Sequence, residues 1–384
     1  MIGTEGQWLM TFSIGETLTD FIKGEDLTEF TLIENAGGGL PTYELVFQTS
    51  NPLVLGYLNE GQIITVSYGK NANDLVDSSL KISKPQINRL GEGGFIVSLV
   101  GFEQSTGYLS SPKSQITSAQ SGLATIIAVA NTYFDVEADV TTSSDSMRWI
   151  QPYQPDRTFI TQCWLHSDLG DGNTPLIGIT SEGAFRVRSL KAMIAQEPVH
   201  IFSYEGEGDN IVIEGDYNIT LSNGLLNQFA GYGMKQDIYD LNAGTISSAE
   251  TQVEPLMAFT DVLNRDTTIE PKRLPNGAKN DNVHSRYNEA YNNNIAMLAT
   301  FSTTKVQLNF TNAFKGVRVL DLVMFKDDAL RVTSDTMSSH KSTQDFYTGL
   351  YVVSKVSRTV KNGTLATFVE LVRESPSEMT GNLR

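Results

Sequence analysis

The sequence predicts a mainly β protein of the α+β class, with two related antiparallel β-barrel units near the ends of the chain and α+β units inserted between them. Three observations carry this expectation. Short apolar segments separated by turn residues fill the first hundred positions, Gly349 to Glu374 reads as one long β-hairpin, and the strand pattern of the first third returns in the last third.

Apolar runs at Phe30 to Ile33, Tyr43 to Phe47, Ile63 to Tyr68, Leu80 to Ile82 and Phe95 to Val100 are separated by "NAGGGLP", "TSNP", "GKNAND" and "LGEGG". Turn residues at that spacing punctuate a small antiparallel barrel or sandwich. From Ser118 to Phe134 the texture becomes helical: Leu123, Ile126, Ile127, Ala130 and Phe134 share a face, with Ser118 as the N-cap. A second helix begins near "QPDRTFITQCWLHSD", capped by Asp156, with Phe159, Ile160, Cys163 and Trp164 as its apolar stripe. After "LGDGN", strands Leu176 to Thr180 and Ala184 to Leu190 join through Glu182-Gly183 and complete an α+β unit. Strands return at Asn210 to Ile213 and Tyr217 to Leu221. Asp237 to Val283 is polar and reads as an irregular insertion. Tyr287, Tyr291, Ile295 and Leu298 mark a third helix, which leads into "FSTTKVQLNF" and "GVRVLDLVMF".

The closing hairpin is apolar on both faces. Leu350, Val352, Val356 and Val360 alternate against Tyr351 and Val353, and the return arm sets Leu365, Val369 and Leu371 against Phe368 and Val372, with Lys361-Asn362-Gly363 as the turn. A strand apolar on both faces is covered on both faces. The hairpin also has an echo. "EGQIITVSYGKN" and "SLKISKPQINRLGEGGFIVSLVGFE" match "KGVRVLDLVMFKDD" and "GLYVVSKVSRTVKNGTLATFVELVRE" in pattern, a glycine opening a strand in each set before a loop and a hairpin.

With 384 residues, 40% hydrophobic and 19% charged, the chain has enough apolar surface for two or three cores. The 28 Lys and Arg against 44 Asp and Glu give a net charge of −16, which argues against a protein that grips phosphate backbones. The lone Cys163 excludes an internal disulfide and a cysteine-based metal site. The acidic start carries no signal-peptide pattern, and no stretch approaches the length of a membrane helix, so production in the cytoplasm is expected.

The chain contains no HExxH, no GxSxG and no phosphate-binding loop ending in Lys-Ser/Thr. "AGGGLP" follows a strand with no helix behind it and reads as a loop tip. His166, His200, His284 and His340 have no i,i+4 partner among themselves. "HSDLGDGN", His166 to Asn173, gathers two carboxylates but lacks the alternation of a calcium loop, so its glycines read as a turn. No catalytic, cofactor-binding or metal-binding residue is expected. A hydrolase built on two carboxylates remains the third reading, since spacing cannot show which acids face each other.

At "MRWIQPYQPDRTFITQCWLHSDLGDGNTPLIGITSEGAFRVRSL", then "YNEAYNNNIAMLATFSTTKVQLNFTNAFKGVRVLDLVMF" and the closing hairpin, the sequence resembles central baseplate hub proteins of contractile-tailed phages. The T-even hub is the nearer model and the hub part of type VI secretion spike proteins the more distant one. The resemblance runs over residues 147 to 375 in motif order, while the first third agrees in strand pattern alone. It implies a homotrimer in which two tube domains per chain form a pseudo-sixfold ring, joining a tail tube protein to a separate spike protein beside other baseplate proteins. DNA would pass through the ring without specific binding, and the acidic balance would suit such a channel. The protein would be part of the virion, assembled in the host cytoplasm, with no membrane insertion, no cofactor and no enzymatic activity.

The implied domains are 1–110 for the first tube barrel, 111–200 for an α+β domain, 201–236 with 300–376 for the second tube barrel, 237–299 for an insertion lobe, and 377–384 for a flexible tail. Subunit or partner contacts are expected at Ile63, Val66, Tyr351, Val353 and Lys355, with the hairpin's second face meeting a neighbouring subunit. A charge at Val353 is therefore expected to lower assembly more than secondary structure. The alternative function is a tail protein that recognises a host-surface glycan or receptor through loops such as Gly170 to Pro175.

Overall fold

The computed structural model describes residues 9–14, 27–69, 76–91, 93–170, 172–205, 208, 210–221, 234–251, 271–301, 303–311, 316–327, 331–333, 343–345, 347–361 and 364–374. The Asn362-Gly363 turn, residues 252–270 of the insertion, most of the loop between Lys326 and Tyr347, and the 377–384 tail lie outside the described residues.

The first lobe consists of β1 (Leu9–Ile14), β2 (Leu27–Asn35), β3 (Thr42–Thr49), the one-turn helix α1 (Pro52–Leu55), β4 (Ile63–Gly69), β5 (Val76–Leu90) and β6 (Gly94–Glu103). Every pairing in its order β1-β4-β5-β6-β3-β2 is antiparallel. Alternation buries Tyr43, Leu45 and Phe47 of β3 and Val97 and Leu99 of β6 in one core. β5 runs far beyond the expected Leu80 to Ile82. Its polar second half resembles a loop in sequence but continues the strand past a bulge between Ile82 and Lys84. The "AGGGLP" segment is a loop tip, with Gly37 and Gly38 at φ +100° and +71°.

The middle of the chain holds α2 (Gly107–Ser110), β7 (Pro112–Ile116), α3 (Gly122–Ala130), β8 (Asp135–Ala138), β9 (Ile150–Pro155), α4 (Asp156–His166), β10 (Pro175–Ile179), β11 (Ala184–Ser189) and α5 (Leu190–Ile194). Two expected caps are corrected here. Ser121, not Ser118, caps α3, because its Oγ accepts the Ala124 N–H at 3.2 Å. Pro155 stands at the N-cap of α4, and the fully buried Asp156 accepts instead from Lys113 Nζ at 2.5 Å, the Tyr133 hydroxyl at 2.7 Å and Gln151 Nε2 at 2.8 Å. Phe159, Ile160, Cys163 and Trp164 do form the buried stripe, packed on α3 and the sheet β10-β11-β8.

The chain then forms β12 (His200–Ser203), β13 (Ile211–Val212) and β14 (Asn218–Leu221), followed by β15 (Met234–Asp240), β16 (Thr245–Thr251), β17 (Lys272–Arg273) and β18 (Gly277–Lys279). The last four make a separate sheet against α6 (Tyr287–Phe301), so the insertion is not irregular where it is described. Its strands escape a reading by alternation because β16, "TISSAET", is almost wholly exposed and buries no apolar face. The second lobe is completed by β19 (Thr304–Phe310), β20 (Leu322–Lys326), the small pair β21 (Arg331–Thr333) and β22 (Thr343–Asp345), β23 (Gly349–Lys361) and β24 (Thr364–Arg373).

β23 joins the two ends of the chain. One edge pairs with β24; the other pairs with β20 through Leu322↔Val352 and then with β2 through Phe30↔Val360 and Leu32↔Arg358. The ends therefore share one thirteen-stranded sheet, with an open strand order among the described residues in place of two separate closed barrels. The buried apolar residues on both faces of the hairpin are covered by its own chain. Tyr351, Val353, Val356, Val369 and Leu371 face the second lobe's core, Val360 and Leu365 enter the first lobe's core, and Val352 and Val372 pack with Met297 and Phe301 of α6. On the second face Val352 and Val372 are therefore buried by α6 and need no neighbouring subunit to cover them.

Candidate assembly interface

The two lobes are copies at the level of strand order. β1-β4-β5-β6-β3-β2 in the first corresponds to β12-β20-β23-β24-β19-β14 in the second. Only the outermost pairing differs, β1 being antiparallel to β4 and β12 parallel to β20. The correspondence extends to single residues. The bulge between Ile82 and Lys84 recurs between Val353 and Lys355, with Ser83 and Ser354 as the extra residues. Ile82 donates to the Gln62 carbonyl and accepts from the Gly61 N–H; Val353 donates to the Asp321 carbonyl and accepts from the Leu320 N–H. Gly61 sits at φ +84° and Leu320 at +67°. Gly61 thus matches Leu320 and not Gly316, the glycine that the sequence echo suggests. The left-handed conformation is free for glycine and costs leucine about 1–2 kcal/mol. Leu320 bears that cost because its side chain is buried among Leu322, Val352 and α6.

The copies differ along one edge. Beyond its bulge, β23 is joined by β2, and the core-facing Val356, Arg358 and Val360 are 0%, 7% and 2% exposed. Beyond its own bulge β5 has β6 on one side and no strand on the other among the described residues, and the matching Ile87 is 43% exposed. Glu34 and Arg358 form an ion pair at 3.3 Å where β2 meets β23. Arg358 Nη2 also donates to the Val317 carbonyl at 2.6 Å, and Glu34 Oε1 accepts the Ser181 N–H at 2.8 Å. Both lobes and the β10–β11 turn meet in this one network. A second buried pair, Arg186 with Asp321 at 2.8 Å, fastens β11 to the second lobe.

The face of the shared sheet opposite the two cores carries charges of both signs. By the register of the strands these are Lys81, Lys84, Lys305, Lys326, Lys355 and Lys361 against Glu29, Glu44, Asp77 and Glu370. Lys361 pairs with Glu29 at 2.9 Å, Lys305 with Glu370 at 3.5 Å, and the Thr31 and Thr359 hydroxyls meet at 3.1 Å. The chain's net negative charge is not concentrated on this face.

Of the expected contact residues, Val66, Tyr351 and Val353 are 0% exposed inside the cores of their own lobes. Burying an aliphatic side chain contributes about 1.5–3 kcal/mol, so a charge at Val353 disrupts the fold itself and not assembly alone. Ile63 is 43% exposed at the start of β4, and Lys355 is half-buried with its ammonium 5.9 Å from the centroid of the Phe368 ring. These two retain surface. The open edge of β5 escapes a reading by alternation because "KPQINRL" lacks the apolar content of a buried strand; the echo of the closing hairpin marks it as a hairpin arm but not as an unpaired edge. The available signal is the repeat of Ile/Val-Ser-Lys at both bulges.

Other candidates resolve into structure. Asp168 of "HSDLGDGN" accepts the Gly170 N–H at 3.0 Å and pairs with Arg286 at 3.1 Å, and Gly170 and Gly172 take φ of +71° and +67°. His166 stacks between Tyr287 and Tyr291, at centroid distances of 3.7 and 4.7 Å, and burial pushes its pKa down to about 4. The turn faces an open polar groove lined by Ser247, Thr251, Lys279, Arg286, Glu289 and Asn293, with no aromatic ring among its described lining residues. No group of His, Cys, Asp and Glu among the described residues could hold a metal ion, and no described helix is long and apolar enough to cross a membrane.

No family model matches the sequence, and no curated protein matches it. Solved structures do match in fold. A tail protein from Neisseria meningitidis MC58 is 10% identical with a TM-score of 0.58, covering 96% of this chain and 97% of that one. The 43 kDa tail protein of prophage MuSo2 from Shewanella oneidensis is 10% identical with a TM-score of 0.59, covering 96% and 98%. A component of the Escherichia coli type VI secretion system, described as structurally similar to T4 bacteriophage tail proteins, is 8% identical with a TM-score of 0.50, covering 95% and 77%. The chain shares its fold with these phage tail proteins and this secretion-system component, in keeping with the resemblance carried by the ordered motifs.

Proposed function

We propose that this protein is the central hub of a phage tail baseplate. It acts as a homotrimer whose six lobes form a pseudo-sixfold ring, joining a sixfold tail tube protein to a threefold spike among other baseplate proteins. The duplicated lobe carries this reading: a chain with two copies of one strand unit, related down to the bulge at Ser83 and Ser354, presents six similar units in a threefold assembly. The role is structural, with strand pairing and apolar burial in place of catalysis. DNA passes through the ring along the polar sheet face, where lysines compensated by glutamates release few counterions and so give little affinity for a phosphate backbone. Ile63 and Lys355 contribute to subunit or partner contacts. The protein assembles in the host cytoplasm and remains in the virion.

Light scattering and particle imaging of the purified protein test this reading. The expected result is a particle of three times the chain mass with a central hole and six similar lobes. A compact monomer at every concentration, with and without its spike partner, would overturn it.

A further inference from the structure

We propose that the open edge of β5, Gln86 to Arg89, pairs antiparallel with β14 of a second copy of this chain, placing Ile87 opposite Ile219. The inference rests on the ring reading above and names the contact that closes the ring. Within one chain the lobes already mate in this manner, β2 of the first lobe adding to β23 of the second beyond its bulge. β5 is the counterpart of β23, and β14 is the counterpart of β2, since β14-β19-β24 repeats β2-β3-β6. Among the described residues neither β14 nor the second half of β5 has a strand on its outer edge. Unpaired backbone groups at both ends of one wall are complementary halves of a head-to-tail contact, and such a contact repeats until the ring closes.

The internal junction supplies the register. Leu32 lies opposite Arg358, and their counterparts are Ile219, which pairs with Val306 as Leu32 pairs with Tyr43, and Ile87, which pairs with Val97 as Arg358 pairs with Thr367. The side chains brought together then suit one another. Ile87, 43% exposed on the core side of its sheet, gains an apolar partner in the half-buried Ile219. One position along, Asn88 meets Asn218 on the polar face, and Arg89 lies beside Tyr217, the counterpart of Phe30. A shift of one residue would set apolar against polar along the whole contact. Pro85, next to the bulge, has no N–H to offer and marks the end of the paired segment.

The test is a double variant, Ile87→Cys with Ile219→Cys, treated with a short bismaleimide in the full-length protein. Native Cys163 is 0% exposed and gives little background. The expected product is a covalent trimer, absent from either single variant. Ile87→Asp, at a position exposed in the single chain, is expected to shift the trimer to monomer with its circular dichroism unchanged. A native trimer that neither crosslinks between these positions nor responds to Ile87→Asp would overturn this pairing while leaving the hub reading intact. A native protein that remains monomeric would overturn both.

Discussion

Replacing Arg358 with methionine removes the cation that neutralises Glu34 at the junction of the two lobes. Glu34 is 2% exposed and Arg358 7%, so neither charge is relieved by water. Stranding one member of a buried pair costs about 3–5 kcal/mol. Glu34 keeps the Ser181 N–H at 2.8 Å, which offsets part of its loss, while the Val317 carbonyl loses its 2.6 Å donor. The expected destabilisation is thus at the low end, about 3 kcal/mol, measured by urea denaturation followed through tryptophan fluorescence. Adding Glu34→Gln removes the stranded charge while keeping an acceptor for Ser181, and is expected to restore about 1–2 kcal/mol. If Arg358→Met alone lies within about 0.5 kcal/mol of the native protein, the range of neutral surface changes, the pair does not hold the lobes together as argued.

Two further outcomes follow from the geometry. Leu320→Gly relieves about 1–2 kcal/mol of left-handed strain but empties a buried leucine site worth about 2–5 kcal/mol, so thermal denaturation should show net destabilisation, and a more stable variant would contradict that ranking. His166 has a folded pKa of about 4, below its ordinary value of 6.5 because burial between Tyr287 and Tyr291 disfavours the cation, so the unfolded chain binds the extra proton between those values. Stability from this group is complete above pH 6.5 and falls as pH drops toward 4. The loss approaches about 3 kcal/mol. His166→Phe keeps the stacking and should lose less stability across that window; identical pH profiles would sink the assignment.

Much of this protein could be read from local pattern. Alternation placed β2, β3, β4 and β6, the one-turn stripe from Phe159 to Trp164 placed α4, and Tyr287 to Leu298 placed α6, because each buries one face against its own chain. The ordered motifs pointed to the tail-protein fold, and the Ile/Val-Ser-Lys repeat lay in plain view at both bulges. The strands within the insertion and the true cap of α3 were not legible, since exposed strands carry no alternation and several serines compete for one helix start; the full length of β5 showed only through its echo of the closing hairpin.

What covers the closing hairpin was beyond the sequence altogether. Two-sided apolarity states that both faces are buried, and only the tertiary structure decides by what, because the answer depends on β2 and α6, each remote in the chain from β23. For the same reason Val66, Tyr351 and Val353 proved to be core, while the surface that remains open lies on the polar half of β5. Strand content and the repeat follow from side chains a few positions apart. Which edge stays unpaired follows from long-range register, which no local pattern encodes.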